Sequence, residues 1–501
     1  MRSTSIAPSG PRDGRSRLGP GRPWTASERG RLIWRLGDLI FEHLEELAEL
    51  ETLDNGKPIS VTRAVDVPLA AELFHYMAGW ANKLEGNTIP LSVPYTPGAV
   101  YHAYTLREPL GVVGQIVPWN FPLLMAAWKL GPALAGGNTV VFKPAEHTPL
   151  TALRLGELFI EAGFPKGVVN VVPGPGPIAG DALASHPDVD KIAFTGSTAV
   201  GKRIIDAAKG NLKKVTLELG GKSPNVVFAD ADMDLAIPGA ASAIFFNQGQ
   251  VCSAGSRLYV EDSAFTKVTE GVAETAKRMK VGPGMDPATE MGPLVAEEQL
   301  DRVCGYLESG YAEGARALTG GKKIDGPGYF IEPTVLVDTS PDMKVVREEI
   351  FGPVVTVHPF TRERDVLPAA NDTIYGLGSG IWTTDLSRHT AWPPRCTPAR
   401  SGSTATTSST PHFPSAATSS PGGAAKWATR SSICTRKSSP CASGCDNSRS
   451  RPTVRSDGFA HDRPVWSVLR GKEIIHEGSR RPRLHQVSQP RGCAEARTRP
   501  G

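Results

Sequence analysis

Cys252 is the residue whose neighbours best suit it to chemistry. It lies in Phe245-Phe246-Asn247-Gln248-Gly249-Gln250-Val251-Cys252-Ser253-Ala254-Gly255-Ser256-Arg257. A lone cysteine is most often a small buried apolar group. The polar, glycine-rich surroundings argue against that description here, and a thiol that loses its proton is a nucleophile. Cys304, in Val303-Cys304-Gly305-Tyr306-Leu307, fits the inert description well. Glu218, in Leu217-Glu218-Leu219-Gly220-Gly221, is by itself a solvated strand-end carboxylate. Asn120 is a lone amide in Pro118-Trp119-Asn120-Phe121-Pro122. Cys441 and Cys445 have loose metal-ligand spacing, but no second pair or histidine cluster completes a zinc site, so no metal is expected.

The elements that must position these residues are legible from periodicity. Val112 to Val117 is a buried strand, and Leu123 to Leu134 a helix. Thr139 to Phe142 is a strand, and Pro149 to Ala162 a helix. Val168 to Val172, Lys191 to Phe194 and Lys214 to Leu219 are strands, separated by helices over Ile178 to Ser185 and Thr198 to Lys209. Strands alternating with helices imply an α/β fold with a parallel, doubly wound sheet. Ligands bind at the carboxyl ends of such strands. The Asn120 loop, Lys143-Pro144-Ala145-Glu146, Gly174-Pro175-Gly176-Pro177, Thr195-Gly196-Ser197 and the Glu218 segment all lie at those ends. No G-x-G-x-x-G fingerprint is present. The remaining phosphate candidate is the helix start after Gly196-Ser197, where a serine also serves as an ordinary cap. Upstream, a helix capped by Ser27 is expected to run through Leu50 to the turn Asn55-Gly56-Lys57-Pro58. A second helix covers about Val65 to Leu84, and Ala99 to Glu108 reads as a strand. A further α/β segment runs from about Ser223 to Trp382.

Composition divides the chain. From Pro398 to Gly501, 17 basic residues face 6 acidic ones, while residues 1–397 carry 38 basic and 45 acidic. The net charge of +4 is therefore the sum of an acidic body and a basic tail. The body would not attract phosphate, which removes a nucleic-acid reading. No 18-residue apolar run suggests a membrane span. Five of the seven cysteines (Cys396, Cys434, Cys441, Cys445 and Cys493) lie at or beyond the composition change, leaving only Cys252 and Cys304 in the body, a usage that fits the cytoplasm.

Six segments together resemble the NAD(P)-dependent aldehyde dehydrogenase superfamily, in its order: PWNFP at Pro118 to Pro122, KPAEHTP at Lys143 to Pro149, FTGST at Phe194 to Thr198, LELGGKSPNVVF at Leu217 to Phe228, FFNQGQVC at Phe245 to Cys252, and EEIFGPV at Glu348 to Val354. The resemblance spans roughly Pro23 to Trp382 and implies an NAD-dependent oxidation of a small aldehyde to its acid. It casts Cys252 as nucleophile, Asn120 as the side-chain donor to the oxyanion, and Glu218 as the base that activates water. It assigns cofactor contacts to Val117, Pro118, Trp119, Lys143, Glu146, Gly176, Phe194, Gly196, Ser197, Leu219, Gly220, Gln299, Glu349 and Phe351. Phe121, Met125, Trp128 and Phe246 become the apolar wall of the aldehyde tunnel, with a plain core role nearly as good for each. A carboxylate at Glu146 would repel a 2′-phosphate, so NAD is preferred over NADP. A homodimer or homotetramer is implied.

The expected division is a disordered 1–20, an NAD-binding domain over 21–220 with an oligomerisation strand inserted at about 95–109, a catalytic thiol domain over 221–390, and a disordered tail over 391–501. Against the family the chain is expected to be short ahead of Pro23 and to depart from the pattern after Trp382. Regrouping codons one nucleotide out of register restores the missing segments in order. Pro414 to Gly422 then permits FGGYKQSG, Gly423 to Ala428 permits WGREMG, Ala399 to Thr404 permits GTVWIN, and Ile433 to Lys437 permits DLYTE. A frameshift between Arg388 and Pro398 is therefore expected. Two other readings stand beside the oxidation. The first is an acylating or esterase-type relative, whose acylating version Glu218 disfavours, because a water-activating base would waste the thioester. The second is an inactive remnant that at most binds nucleotide.

Overall fold

The computed structural model describes residues 24–95, 97–395, 406–408 and 436–445. The expected disordered start at 1–20 lies outside the described residues. Helix α1 (Ala26–Glu42) is capped by Thr25 and not by Ser27: Thr25 and Glu28 form a reciprocal capping box. Thr25 has a glutamate three residues on to return the bond, whereas Ser27 has Gly30. The single helix expected to Leu50 is broken at His43, and α2 (Leu44–Asn55) follows. Gly56 then closes α2 in the left-handed region at φ 87°, as the Asn-Gly turn signal requires. A π-helical turn over Thr62–Asp66 leads into α3 (Val67–Ala78). These helices pack with α4 (Pro122–Ala135) around a core that includes Ile33, Leu36, Phe74, Leu123 and Leu130.

The short β1 (Thr88–Ile89) pairs antiparallel with β2 (Val100–Pro109), the strand expected near Ala99. Five parallel strands follow: β3 (Val112–Ile116), β4 (Thr139–Lys143), β5 (Val169–Val171), β6 (Lys191–Thr195) and β7 (Lys214–Glu218). Their order is β5-β4-β3-β6-β7. The chain runs outward from β3 to β5, then returns to lay β6 beside β3. The strand order reverses between β3 and β6, and the crevice at such a reversal is where these sheets take ligands. The Asn120 loop leaves β3 and Gly196-Ser197 leaves β6, so both border it.

The second sheet contains β8 (Pro224–Val227), β9 (Arg257–Glu261), β10 (Arg316–Thr319), β11 (Thr334–Val337), β12 (Val354–Phe360), β13 (Gly378–Trp382) and β14 (Thr406–Ser408), in the order β10-β11-β12-β9-β8-β13-β14. Only β10 is antiparallel to its neighbour. Its core includes Phe245, Leu258, Val335 and Val355.

Within the stretch expected to be disordered, the described residues form the end of a helix (Leu386–Arg395), β14, and β15 (Arg436–Cys445). β15 pairs antiparallel with β2 from Val100 to Pro109. Strand pairing is made by main-chain groups, so an unpaired edge such as β2 accepts a strand without demanding a particular sequence. The remainder of that stretch, with the segments read from regrouped codons over Ala399–Thr404, Pro414–Gly422 and Gly423–Ala428 and most of Ile433–Lys437, lies outside the described residues.

Candidate active site

Three loops converge at the carboxyl edge of the first sheet. Asn120 is buried, and its Nδ2 donates to the Gln250 carbonyl at 2.8 Å. Asn247 Nδ2 donates in return to the Asn120 carbonyl at 2.9 Å. The PWNFP loop is thereby tied to the turn that delivers Cys252. That turn is strained: Asn247 (φ 49°) and Gln248 (φ 58°) occupy the left-handed region, followed by Gly249 (φ 69°). A side chain at Gly249 would run into the Gly352 carbonyl, so the EEIFGPV segment lies directly against it. Helix α5 (Thr198–Ala208) begins at the same edge, and helix α6 (Met233–Phe245) ends where the Cys252 turn starts.

The two glycines after Glu218 bring the acids to the thiol. Gly221 N donates to Glu349 Oε1 at 2.9 Å. A Cβ at Gly220 would strike the Glu349 carboxylate, and one at Gly221 would strike the Cys252 carbonyl. Burial, with Glu349 and then Glu218 adding to it, pushes the Cys252 thiol up to about 12. Burial also raises Glu218, with the Lys129 ammonium opposing, and raises Glu349. Lys129 is lowered to about 8 by its own burial, which Glu218 opposes. Its Nζ donates to the Phe194 carbonyl at 3.4 Å. The site thus holds a protonated thiol among carboxylates that bind protons more tightly than usual.

The expected cofactor residues lie along the same edge. Lys143 Nζ pairs with Glu146 Oε2 at 3.0 Å, and Glu146 Oε1 accepts from Gly176 N at 3.1 Å. Burial would raise the Glu146 carboxyl, but backbone N–H bonds and Lys143 outweigh it and hold the group below its ordinary value. Val117 N bonds the Lys143 carbonyl, and Gly196 N bonds the Glu218 carbonyl. Ser197 Oγ accepts from Val200 N at 3.3 Å, the ordinary cap of α5. The Thr195 hydroxyl is buried with no partner. Phe351 adopts φ 62°, its carbonyl accepts from Gln299 Nε2 at 2.7 Å, and its ring meets Trp119 edge-on at 5.3 Å. Phe121 stacks on Phe246 at 6.2 Å and bridges the cores of both sheets. Met125 and Trp128 pack in the first of these cores.

The aldehyde dehydrogenase family model matches residues 19–407, more than half of the chain and every residue placed in this site. The chain belongs to the aldehyde dehydrogenase family. It is 52% identical over 372 residues to the mitochondrial aldehyde dehydrogenase of Rattus norvegicus, covering 74% of this chain and 70% of that one. It is 50% identical over 368 residues to retinal dehydrogenase 2 of Homo sapiens, covering 73% and 70%. The NAD+ complex of the Bacillus cereus aldehyde dehydrogenase superposes with a TM-score of 0.74 at 48% identity, covering 79% of each chain.

Family membership supports aldehyde oxidation as the general activity. In this aldehyde dehydrogenase Lys129 escaped the motif reading, although its signal is plain. It is the single charge in the apolar helix Pro-Leu-Leu-Met-Ala-Ala-Trp-Lys-Leu-Gly that opens α4. Cys252 and Cys304 are free thiols. Among the described residues no three His, Cys, Asp or Glu side chains converge as metal ligands would, and no helix is long and apolar enough to cross a membrane.

Proposed function

We propose that this aldehyde dehydrogenase oxidises a small aldehyde to its carboxylic acid with NAD. The observation that carries this is that Asn120 is tied to the Cys252 turn by the Asn120–Gln250 and Asn247–Asn120 bonds, while the segment after Glu218 packs on the Cys252 carbonyl at Gly221. The residues fit a dinucleotide. The Glu146–Lys143 pair offers an acceptor and donors for ribose hydroxyls, and the free N–H groups at the start of α5 suit a pyrophosphate. Val117, Pro118, Trp119, Phe194 and Leu219 would form its bed, and Glu349, Phe351, Gly220 and Gln299 would frame the nicotinamide end. When bound, NAD supplies the acceptor for the hydride that the aldehyde loses.

The chain's own residues do the rest. Cys252 releases its proton to solvent, and the sulfur adds to the aldehyde carbon as the carbonyl π pair moves onto the oxygen. Asn120 Nδ2 turns from the Gln250 carbonyl to the oxygen that becomes negative there, together with the Cys252 N–H. Such a donor is worth about 3 kcal/mol in the transition state. Glu218 takes a proton from the water that attacks the Cys252 thioester, and its raised affinity for protons suits a base. Phe121, Met125, Trp128 and Phe246 exclude water from the aldehyde. The full chain mixed with NAD and a panel of aldehydes should produce NADH, and no NADH from any of them would contradict the proposal.

NAD preference rests on Glu146. Placing a 2′-phosphate against this carboxylate costs on the order of 1–3 kcal/mol, or about five- to 150-fold in kcat/KM. Glu146→Ser should narrow that gap, and equal kcat/KM for NAD and NADP in the parent would overturn it.

We place the domain divide near residue 220, between β7 and β8, with an NAD-binding part before it and the thiol-bearing part after it. The acidic body supports a protein that binds no nucleic acid, and the two free thiols support a reducing, cytoplasmic setting. We also propose that the gene changes reading frame between Arg388 and Pro398, and the sharp turn to a basic composition there favours a second reading, a chain that binds nucleotide without turnover. Resequencing codons 388–398 should reveal a shifted base. An unbroken frame, with a soluble active oligomer made from this chain, would refute it.

A further inference from the structure

Glu51, Asn55, Lys57 and Asp66 are charged or polar, yet each is at most 1% exposed. Glu51 and Asn55 lie one turn apart on α2, and Lys57 follows the left-handed Gly56. All three reach the loop that carries Asn120. Glu51 accepts from Leu123 N at 3.3 Å, at the first turn of α4. Asn55 Nδ2 donates to the Trp119 carbonyl at 2.8 Å. The Lys57 ammonium stands 4.0 Å from the centre of the Phe121 ring and is held there by Asp66, which the π-helical turn presents.

The same segment touches the other side of the site. Gly56 packs on Pro293, where a Cβ would come within 2.9 Å of the proline ring. Gln248 Nε2 donates to the Pro293 carbonyl at 2.8 Å, and Val295 N donates to Gln250 Oε1 at 3.1 Å. Gln248 and Gln250 belong to the strained turn that delivers Cys252. The end of α2 therefore packs against the loop that carries the oxyanion donor and, through Pro293, against the turn that delivers the nucleophile. None of these groups touches the reacting atoms.

We propose that Glu51, Asn55 and the Lys57–Asp66 pair are positioning residues that set Asn120 against Cys252, Lys57 acting through the face of Phe121. The inference rests on Asn120 being the oxyanion donor. A misplacement of about 1 Å at a reacting group can cost on the order of a hundredfold in rate, which gives the brace its expected effect.

A lone Lys57→Met change would leave the Asp66 carboxylate buried and unpaired, so the variant of choice is Lys57→Met with Asp66→Leu, in the full chain. Replacing a buried ion pair whole is close to neutral for stability. The thermal midpoint should hold while kcat falls by about tenfold or more, with KM for NAD unchanged. Introduced into Asn120→Ala, the same pair of changes should cost less than about threefold, because the donor it positions is gone. Losses that multiply fully in the Asn120→Ala background, or an undiminished kcat in the charge-free variant, would overturn the brace. An Asn120→Ala enzyme as fast as the parent would instead overturn the oxyanion reading beneath it. Asn55→Ala, which removes only the bond to the Trp119 carbonyl, is judged by the same two criteria and serves if the double variant does not fold. Burial pushes the Glu51 carboxyl up to about 8, with Lys57 opposing. The neutral Glu51→Gln should therefore keep most of the rate, and Glu51→Ala should lose it.

Discussion

Cys252→Ala should abolish NADH formation, with a loss of at least about a thousandfold, since the proposed thioester cannot form without the sulfur. Cys304 offers no substitute: it lies on a helix of the second part, packed beside the core that contains Val303 and Leu307. The thermal midpoint should stay close to the parent's, because the change removes one sulfur from a site already shaped by backbone contacts. The Gly221 packing on the Cys252 carbonyl and the Asn247–Asn120 bond involve no thiol. Ordinary turnover by the Ala variant would show that the nucleophile lies elsewhere.

Glu218→Gln separates the two halves of the reaction. In the proposed mechanism acylation needs Cys252 and Asn120, whereas deacylation needs a base for water. A burst of about one NADH per site should precede a steady rate slower by on the order of 10²–10⁴. Acidity should act on the parent in the same direction. Burial holds the Glu218 carboxyl above its ordinary value, with Lys129 opposing. Its basic form is therefore lost as pH falls through that raised value, and the steady rate should drop before an ordinary carboxylate, at about 4.3, would protonate. An unchanged steady rate with no burst would remove Glu218 from the mechanism.

The first sheet and its ligand edge were open to reading because β3, β4 and β6 are short apolar runs that each end in a loop of Gly, Pro or polar residues. The five loops then fall on one edge by the direction rule of parallel sheets alone. Cys252 stood out from Cys304 by its neighbours. The break at His43 was invisible, since Phe41, Leu44 and Leu47 continue a helical spacing across it. The left-handed Asn247 and Gln248 gave no local sign, because packing on Gly352 and Pro293 imposes their conformation. Lys57 read only as part of the turn after α2, and nothing marked Glu51 or Asp66. Their burial depends on α2, the π-helical turn and α4 meeting, a tertiary fact without a sequence period.

The acyl-enzyme itself gives the most direct measurement. Glu218→Gln, mixed with an aldehyde and NAD and quenched in acid, should show by mass spectrometry one acyl group on the peptide bearing Cys252, and none when NAD is left out. An acyl group on another residue, or none while NADH accumulates, would contradict a thioester at Cys252.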